Sequence, residues 1–186
     1  VIDKWTIYSI GGGELANEES RKSEADIYPL TTAHEIMDWC DETGCSFWEY
    51  VERHEGPEIW DYLAEVWHTM QSTIRRGLEH EGVLPGGLGI QRKAGLYLLK
   101  SRSYSASVAS KAKIYAYALA TSEENASGTT IVTAPTCGSC GVLPAVLYHL
   151  SQSHENSEAR ILRALATAGL FGNIAKEHAS ISGADV

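Results

Sequence analysis

One long helical pattern constrains the fold more than any other feature of the sequence. Between residues 59 and 78, apolar side chains recur at spacings of three and four, which places them along one face of an α-helix. Pro57 stands just ahead of the pattern, where proline often opens a helix. Because other elements must cover so broad a stripe, we interpret it as core rather than as a binding surface. The stripe consists of Ile59, Tyr62, Leu63, Val66, Trp67, Met70, Ile74 and Leu78.

Further helices are predicted on both sides of this one. Thr32 with Glu35, and Ser46 with Glu49, match the pattern in which a hydroxyl caps a helix start and a carboxylate three residues later returns the hydrogen bond. Gly44 predicts the end of the first of these helices. Three more helices are predicted at 105–122, 142–150 and 158–177, and a loop rich in glycine and proline at 81–89.

Only two short segments have the pattern of a strand. One covers residues 5–10, and the other is the apolar run at 129–133, just before a turn rich in glycine and proline. This does not supply the alternating strands and helices of a thioredoxin-like sheet. The sequence therefore predicts a mainly α, multi-helix domain, with a short strand leading into the cysteine-containing turn and a terminal β-strand ahead of it.

Length and charge limit the classes of function. The 186 residues suffice for one domain with a core, and 15 basic against 24 acidic residues give a net charge of −9. This charge opposes binding to nucleic-acid phosphates and anionic lipids. No apolar run approaches the roughly 20 residues that cross a bilayer, and the amino terminus lacks a signal-segment pattern. We expect a cytoplasmic protein without nucleic-acid or membrane partners.

Two thiols, Cys137 and Cys140, lie in the turn before the helix predicted at 142–150. The positive end of a helix favours a thiolate, so reactive sulfur chemistry is plausible there. The spacing is compatible with ligation of a metal or cluster, with thiol–disulfide exchange, and with inert packing. A structural zinc site that also used Cys40 and Cys45 would have four sulfur ligands. Spacing alone leaves all of these alternatives open.

Loops between the predicted helices hold short polar side chains of the kind that bind small polar ligands. They include Asn125, Ser127, Thr136 and Ser182. The alternative is that Asn125, Ser127, Ser180 and Ser182 simply cap helix ends. Arg92 and Lys93 follow the glycine-rich loop, and either could pair with a carboxylate in an anion site. A solvated basic corner is the simpler interpretation of the same two residues.

Five sequence blocks carry a family resemblance. They are Ser9-Ile-Gly-Gly-Gly13, Glu81-Gly-Val-Leu-Pro-Gly86, Glu123-Glu-Asn-Ala-Ser-Gly128, Thr133-Ala-Pro-Thr136 with Gly141-Val-Leu-Pro-Ala-Val146, and Ala179-Ser-Ile-Ser-Gly-Ala184. Together they resemble the α domain of iron–sulfur-dependent L-serine dehydratase, also called L-serine ammonia-lyase, in its single-chain bacterial form. The resemblance implies that residues 1–13 end an amino-terminal regulatory β domain, 14–28 form a linker, and 29–186 are a helical catalytic domain truncated at its carboxyl end.

The resemblance also implies a cofactor and a reaction. Family members bind a [4Fe–4S] cluster, for which Cys140 is the first candidate ligand and Cys137 the second. The remaining ligands are expected in a Gly-Cys-Gln motif beyond Val186, so this segment is expected to be inactive alone. Cluster iron would act as a Lewis acid on the hydroxyl of L-serine while a base removes the Cα proton, which yields pyruvate and ammonia. The full-length enzyme is expected to be a homodimer in amino-acid degradation and gluconeogenesis.

The same resemblance suggests roles for polar residues. The candidate bases are Lys93 and Lys176, and the candidates for holding the substrate are Asn125, Ser127, Thr136, Ser182 and Arg92. These assignments rest on polarity and loop position. The chain departs from the family pattern at His178, where asparagine is common, and at Asp185, where glutamate is common. Neither departure involves the cysteines, so both leave the implied reaction class unchanged.

Overall fold

The computed structural model describes residues 5–11, 14–16, 27–133, 140–152 and 156–178, which form two short strands and seven α-helices. Strand β1, Tyr8–Gly11, pairs antiparallel with β2, Glu14–Ala16. The helices are α1 Ala33–Thr43, α2 Phe47–Glu55, α3 Ile59–Glu79, α4 Ala94–Ser101, α5 Ala106–Ala126, α6 Val142–Ser151 and α7 Glu158–His178. The predicted mainly α fold is confirmed. No helix of the described ranges has the length and apolar character needed to span a membrane.

The details of the strand predictions are not confirmed. Strand β1 overlaps the predicted strand at 5–10, but it pairs with β2, which lies in the segment predicted as a linker. The predicted strand at 129–133 is wrong, because these residues have no regular secondary structure. Side chains of α3 bind the backbone here: the carbonyl of Thr130 accepts hydrogen bonds from Thr73 Oγ1 at 3.1 Å and Arg76 Nη2 at 2.8 Å. The cysteine turn at 134–139 lies outside the described residues.

The helix caps predicted for α1 and α2 are confirmed. Thr32 Oγ1 accepts the backbone N–H of Glu35 at 3.3 Å, and the Glu35 carboxylate accepts the backbone N–H of Thr32 at 3.1 Å. The Glu49 carboxylate likewise accepts the backbone N–H of Ser46 at 2.7 Å. Gly44 ends α1 with φ of +70°, a left-handed conformation that glycine adopts without steric cost.

The predicted end of α5 needs correction, and one further helix was not predicted. This helix extends to Ala126, so Glu123 and Glu124 are helical rather than part of a loop. The Ser127 hydroxyl closes the helix end by donating to the Glu123 carbonyl at 2.8 Å. Helix α4 was not predicted, because its eight residues are too short and too uniformly apolar to show a helical period. Its start is capped by a carboxylate 30 residues away in sequence.

The chain divides into two compact units, which we describe separately. The first unit comprises Val1–Ile59, Ala134–Thr136 and Ala164–Val186, and the second comprises Trp60–Thr133 and Cys137–Arg163. Among the described residues of the first unit, Ile36, Tyr50 and Leu170 are buried. The rings of Phe47 and Phe171 meet edge to face, with centroids 5.2 Å apart.

The second unit has a core formed by α3, α5 and α6. Ile74, Tyr117 and Ala145 are its buried centre, which confirms that the apolar stripe of α3 is core. Gly77 of α3 lies against the backbone of Ala120 in α5, so closely that a Cβ atom at this glycine would overlap the Ala120 carbonyl group. The close approach of α3 and α5 brings the polar ends of both helices together.

Candidate functional site

Glu124 is the buried centre of a charged cluster in the second unit. Its side chain has no exposed surface, and its carboxylate accepts hydrogen bonds from Arg76 Nε and, at 2.9 Å, from Arg92 Nη1. His80 Nδ1 lies 2.8 Å from the same carboxylate, and Thr129 Oγ1 donates to it at 2.9 Å. A carboxylate buried without partners is costly, and these groups offset that cost.

The pKa of Glu124 reflects two opposing effects. Burial raises the pKa, because it penalises the charged form. Hydrogen bonds from Arg76, His80, Thr129 and Arg92 outweigh burial and lower the pKa to about 2. Glu124 is therefore ionised at neutral pH, which makes it a fixed negative charge and a poor proton acceptor.

Three segments distant in sequence supply the cluster. Arg76 and His80 are one turn apart near the end of α3, Arg92 lies in the loop before α4, and Glu124 lies in the last turns of α5. Arg76 also binds the carbonyl of Thr130, in the segment that follows α5. The cluster thus joins the end of α3, the loop at 81–93 and both sides of the end of α5.

Arg92 and Ser127, two predicted substrate-binding residues, are in direct contact. Arg92 Nη2 donates to Ser127 Oγ at 2.5 Å, and the Arg92 side chain is only 8% exposed. Arg92 pairs with the carboxylate of Glu124 in the same chain, whereas the predicted pairing was with the carboxylate of a bound anion. Substrate binding by Arg92 or Ser127 stays a prediction.

Glu123 directly precedes Glu124 in α5, and its carboxylate binds the start of a different helix, α4. Its Oε1 accepts the backbone N–H of Lys93 at 2.6 Å and that of Ala94 at 3.3 Å, so this carboxylate caps α4. The Glu123 side chain is 5% exposed, and its Oε2 has no hydrogen-bond partner within the described ranges. The side chain of Lys93 itself is exposed. Its assignment as a base stays a prediction.

Cys140 is the one predicted cluster ligand within the described residues. Its side chain is buried, with 4% exposed, and it directly precedes Gly141, the N-cap of α6. Gly141 lies against α5, where a Cβ atom would be 3.1 Å from Ser122 Oγ. Cys140 therefore lies beside the helix that carries Glu123. Three other predicted site residues, Cys137, Thr136 and Ser182, lie outside the described residues, and Asn125 is half-buried on α5.

Cys40 and Cys45 belong to the first unit and are partly buried. Burial raises the pKa of the Cys40 thiol, with a smaller contribution from Cys45. Within the ranges that the structure describes, no group of three or more histidine, cysteine, aspartate or glutamate side chains is arranged to hold a metal ion. Because Cys137 lies outside those ranges, the zinc and thiol-exchange alternatives stay predictions.

Lys176, the second predicted base, lies in the first unit beside a cavity of about 210 Å³. The cavity is lined by apolar side chains and by polar side chains from the last turns of α7. Its lining consists of Ile27, Tyr28, Leu30, Thr31, Leu170, Asn173, Ile174, Lys176 and Glu177. A catalytic role for Lys176 is still a prediction.

Four members of the cluster, and the neighbouring Glu123, were not singled out as site residues from sequence. The four are Arg76, His80, Glu124 and Thr129. The available signals were two adjacent carboxylates at the end of an alanine-rich segment, and an arginine and a histidine one helical turn apart. Neither signal identifies its partner, because contacts between distant segments depend on helix packing.

Comparison with known proteins places this chain in a family. The family model described as serine dehydratase alpha chain matches residues 14–186. L-serine dehydratase 1 of Escherichia coli (strain K12) is 39% identical over 100% of this chain and 44% of its own length. L-serine dehydratase of Streptomyces coelicolor (strain ATCC BAA-471 / A3(2) / M145) is 37% identical over 97% of this chain and 43% of its own.

A third relative, L-serine dehydratase TdcG of Escherichia coli (strain K12), is 38% identical over 97% of this chain and 43% of its own length. The chain therefore spans less than half the length of these relatives. The family model includes α1 to α7 and the charged cluster around Glu124, which confirms the resemblance found in the sequence blocks. The chain belongs to the serine dehydratase alpha chain family.

Proposed function

We propose that the complete protein containing this chain is an L-serine dehydratase, a carbon–nitrogen lyase that forms pyruvate and ammonia from L-serine. The family match over residues 14–186 carries the proposal, and relatives named L-serine dehydratase at 37–39% identity support it. The reaction is a β-elimination, in which the Cα–H and Cβ–O bonds break and water leaves. The aminoacrylate product tautomerises and hydrolyses to pyruvate and ammonia.

We further propose a [4Fe–4S] cluster with Cys140 as a ligand and Cys137 as the second candidate. Cys140 fits this role because it is buried and directly precedes the start of α6, where the helix dipole favours a thiolate. When bound, such a cluster supplies a Lewis-acidic iron that makes the substrate hydroxyl a better leaving group.

The chain's polar residues would bind and orient the substrate and move its proton. The proposed substrate-binding residues are Asn125, Ser127, Thr136, Ser182 and Arg92, and the proposed bases are Lys93 and Lys176. The cluster around Glu124 supports a binding role for Arg92 and Ser127, because it holds both side chains in one position. A guanidinium also stays protonated at any physiological pH, which suits it to bind a carboxylate.

The proposal includes the setting of the enzyme. We place it in the cytoplasm, as a homodimer that takes part in amino-acid degradation and gluconeogenesis. The supporting observations are the family match and a net charge of −9, which disfavours nucleic acid and anionic lipid as partners. Analytical ultracentrifugation of the complete protein would test the dimer.

The deciding experiment is anaerobic assay of pyruvate release from L-serine by the complete protein, with iron content measured in parallel. We expect the unaltered protein to contain iron and to release pyruvate, and Cys140→Ala to lose both. Cys40→Ala is the matched control, because it removes a partly buried thiol from the first unit and should leave both unchanged.

The same variants separate the alternatives. Bound zinc that is lost from Cys40→Ala would favour the structural zinc site and contradict the cluster proposal. Iron-loaded protein that releases no pyruvate would contradict the dehydratase proposal. Reduction of a disulfide substrate by the unaltered protein, with no bound metal, would favour thiol–disulfide exchange.

A further inference from the structure

Glu123 carries a carboxylate oxygen whose partner is missing. The side chain is 5% exposed, and its Oε1 accepts two backbone N–H groups at the start of α4, from Lys93 and Ala94. These two hydrogen bonds hold the carboxylate in one orientation. Its Oε2 is buried and accepts no hydrogen bond from any described residue. Buried polar atoms are rarely left unsatisfied, so an unpaired carboxylate oxygen indicates a donor that binds from outside.

The missing partner should be a cation as well as a donor. The two arginines nearest in the network, Arg76 and Arg92, are paired with Glu124. Glu123 has no ion pair with any residue in the described part of the chain. A buried carboxylate without a counter-charge is unfavourable, and backbone N–H groups neutralise it only partly. A ligand with a positively charged N–H group would supply both the missing hydrogen-bond donor and the missing positive charge.

Glu123 lies between residues that were proposed to bind the cluster and the substrate. Gly141, the residue after Cys140, lies against α5 at Ala118 and Ser122, and Ser122 directly precedes Glu123. On the other side of Glu123, the carboxylate of Glu124 binds Arg92, which in turn contacts Ser127. Glu123 thus belongs to the helix that carries Asn125, one proposed substrate-binding residue, and the residue after the proposed cluster ligand packs against the same helix.

We propose that Glu123 Oε2 binds the ammonium group of the amino-acid substrate. This inference rests on the proposed function and extends it by naming the residue that recognises an amino acid rather than a hydroxy acid. An ammonium group supplies the positive charge and the N–H donor that Oε2 lacks. Glu123 would act as a substrate-binding residue, and its fixed orientation would set the position of Cα.

The test compares L-alanine with L-lactate as ligands of the complete, iron-loaded protein. Both have the carboxylate and the methyl group, and they differ in having an ammonium or a hydroxyl group on Cα. Neither has the β-hydroxyl that would be eliminated, so binding is measured without turnover, by calorimetry and by inhibition of L-serine consumption. The variant is Glu123→Gln, which retains an oxygen that can accept the N–H groups of Lys93 and Ala94. The matched control is Glu79→Gln, the same change at an exposed glutamate of α3.

We expect the unaltered protein and Glu79→Gln to prefer L-alanine to L-lactate. Glu123→Gln should weaken L-alanine binding about 10- to 100-fold, the effect of losing one charge-assisted hydrogen bond, and should leave L-lactate binding unchanged. The KM for L-serine should rise by a similar factor. If Glu123→Gln does not fold, Glu123→Asp, which shortens the side chain by one methylene, should show the same selective loss.

Several results would overturn the inference. If Glu123→Gln weakened the binding of L-alanine and L-lactate equally, Glu123 would have a structural role. If both affinities were unchanged, Glu123 would have no role in ligand binding. An unchanged KM with a much lower kcat would assign Glu123 to proton transfer instead. These results are distinguishable from failure of the proposed function, because that failure is the absence of pyruvate from L-serine in the unaltered, iron-loaded protein.

Discussion

Arg92 Nη2 donates a hydrogen bond to Ser127 Oγ at 2.5 Å, which links the loop before α4 to the C-terminal cap of α5. The other terminal nitrogen of Arg92 binds Glu124 at 2.9 Å. Ser127 in turn donates to the Glu123 carbonyl at 2.8 Å. The guanidinium of Arg92 therefore fixes the loop before α4 to both Glu124 and Ser127 at the end of α5.

Replacing Arg92 with lysine should destabilise this arrangement although the charge is kept. A lysine ammonium is a compact donor and cannot reach Glu124 and Ser127 in the planar geometry of a guanidinium. We expect the free energy of unfolding to fall by about 1–3 kcal/mol in Arg92→Lys. Urea denaturation followed by circular dichroism measures this loss. Arg75→Lys is the control, because Arg75 is exposed and its side chain donates a hydrogen bond to Gln71 of the same helix. Equal losses in the two variants would contradict the prediction.

Glu124→Ala should be among the most destabilising single substitutions in the second unit. It removes the acceptor shared by Arg76, His80, Arg92 and Thr129, and leaves the largely buried Arg92 charge without its carboxylate. Breaking a buried ion pair in this way typically costs about 3–5 kcal/mol. Thermal and urea unfolding would measure the cost against Glu79→Ala at an exposed position. A loss below that of the control would show that the cluster does not stabilise the fold.

Acid should remove the contribution of Glu124 to stability. The folded-state pKa is about 2, below the ordinary value of 4.5, so the unfolded chain takes up the proton at higher pH than the folded protein does. The stabilisation is complete above pH 4.5 and is lost as pH falls from 4.5 towards 2. The difference in unfolding free energy between the unaltered protein and Glu124→Gln should shrink over this interval. A difference that stays constant from pH 6 to pH 2.5 would contradict the assigned pKa.

Gly77→Ala should destabilise the packing of α3 against α5. A methyl group at this position would overlap the carbonyl of Ala120, which belongs to the backbone and cannot move aside without shifting a helix. Overpacking of this kind costs about 1–3 kcal/mol, and the better helix propensity of alanine offsets only part of it. Gly169→Ala in α7 is the control, since within the described ranges no atom beyond the neighbouring residues of its own helix lies within 4 Å of the added methyl. The melting temperature of Gly77→Ala should fall, and that of Gly169→Ala should stay unchanged or rise slightly; an equal fall in both variants would contradict the prediction.

Helix starts and ends were predictable where the signal is local. Thr32 with Glu35 and Ser46 with Glu49 form their caps within four residues, and Gly44 ends α1 by its own backbone conformation. The apolar stripe of α3 was predictable for a similar reason, because a helix with one apolar face has one way to bury it. The mainly α fold follows from these local patterns.

The predictions failed where distant groups decide the local structure. α4 begins where the carboxylate of Glu123 accepts the first backbone N–H groups of the helix. No feature of residues 94–101 predicts that partner. Residues 129–133 have the composition of a strand, yet side chains of Thr73 and Arg76 occupy the Thr130 carbonyl in place of a neighbouring strand. α5 extends beyond its predicted end for a related reason, since its last turns carry the carboxylates that bind other elements.

The amino-acid sequence alone was sufficient for the helical class, the helix caps and the family, because these depend on spacing within short segments and on ordered sequence blocks. It also identified Arg92 and Ser127 as polar groups of interest. Only the packing of α3 against α5 brings Arg76, His80 and Arg92 onto Glu124, and only the position of α4 orients Glu123 with one oxygen capped and the other unpaired. The pairing of charges depends on distances between segments far apart in sequence, and those distances are set by the close contact of helix backbones at Gly77.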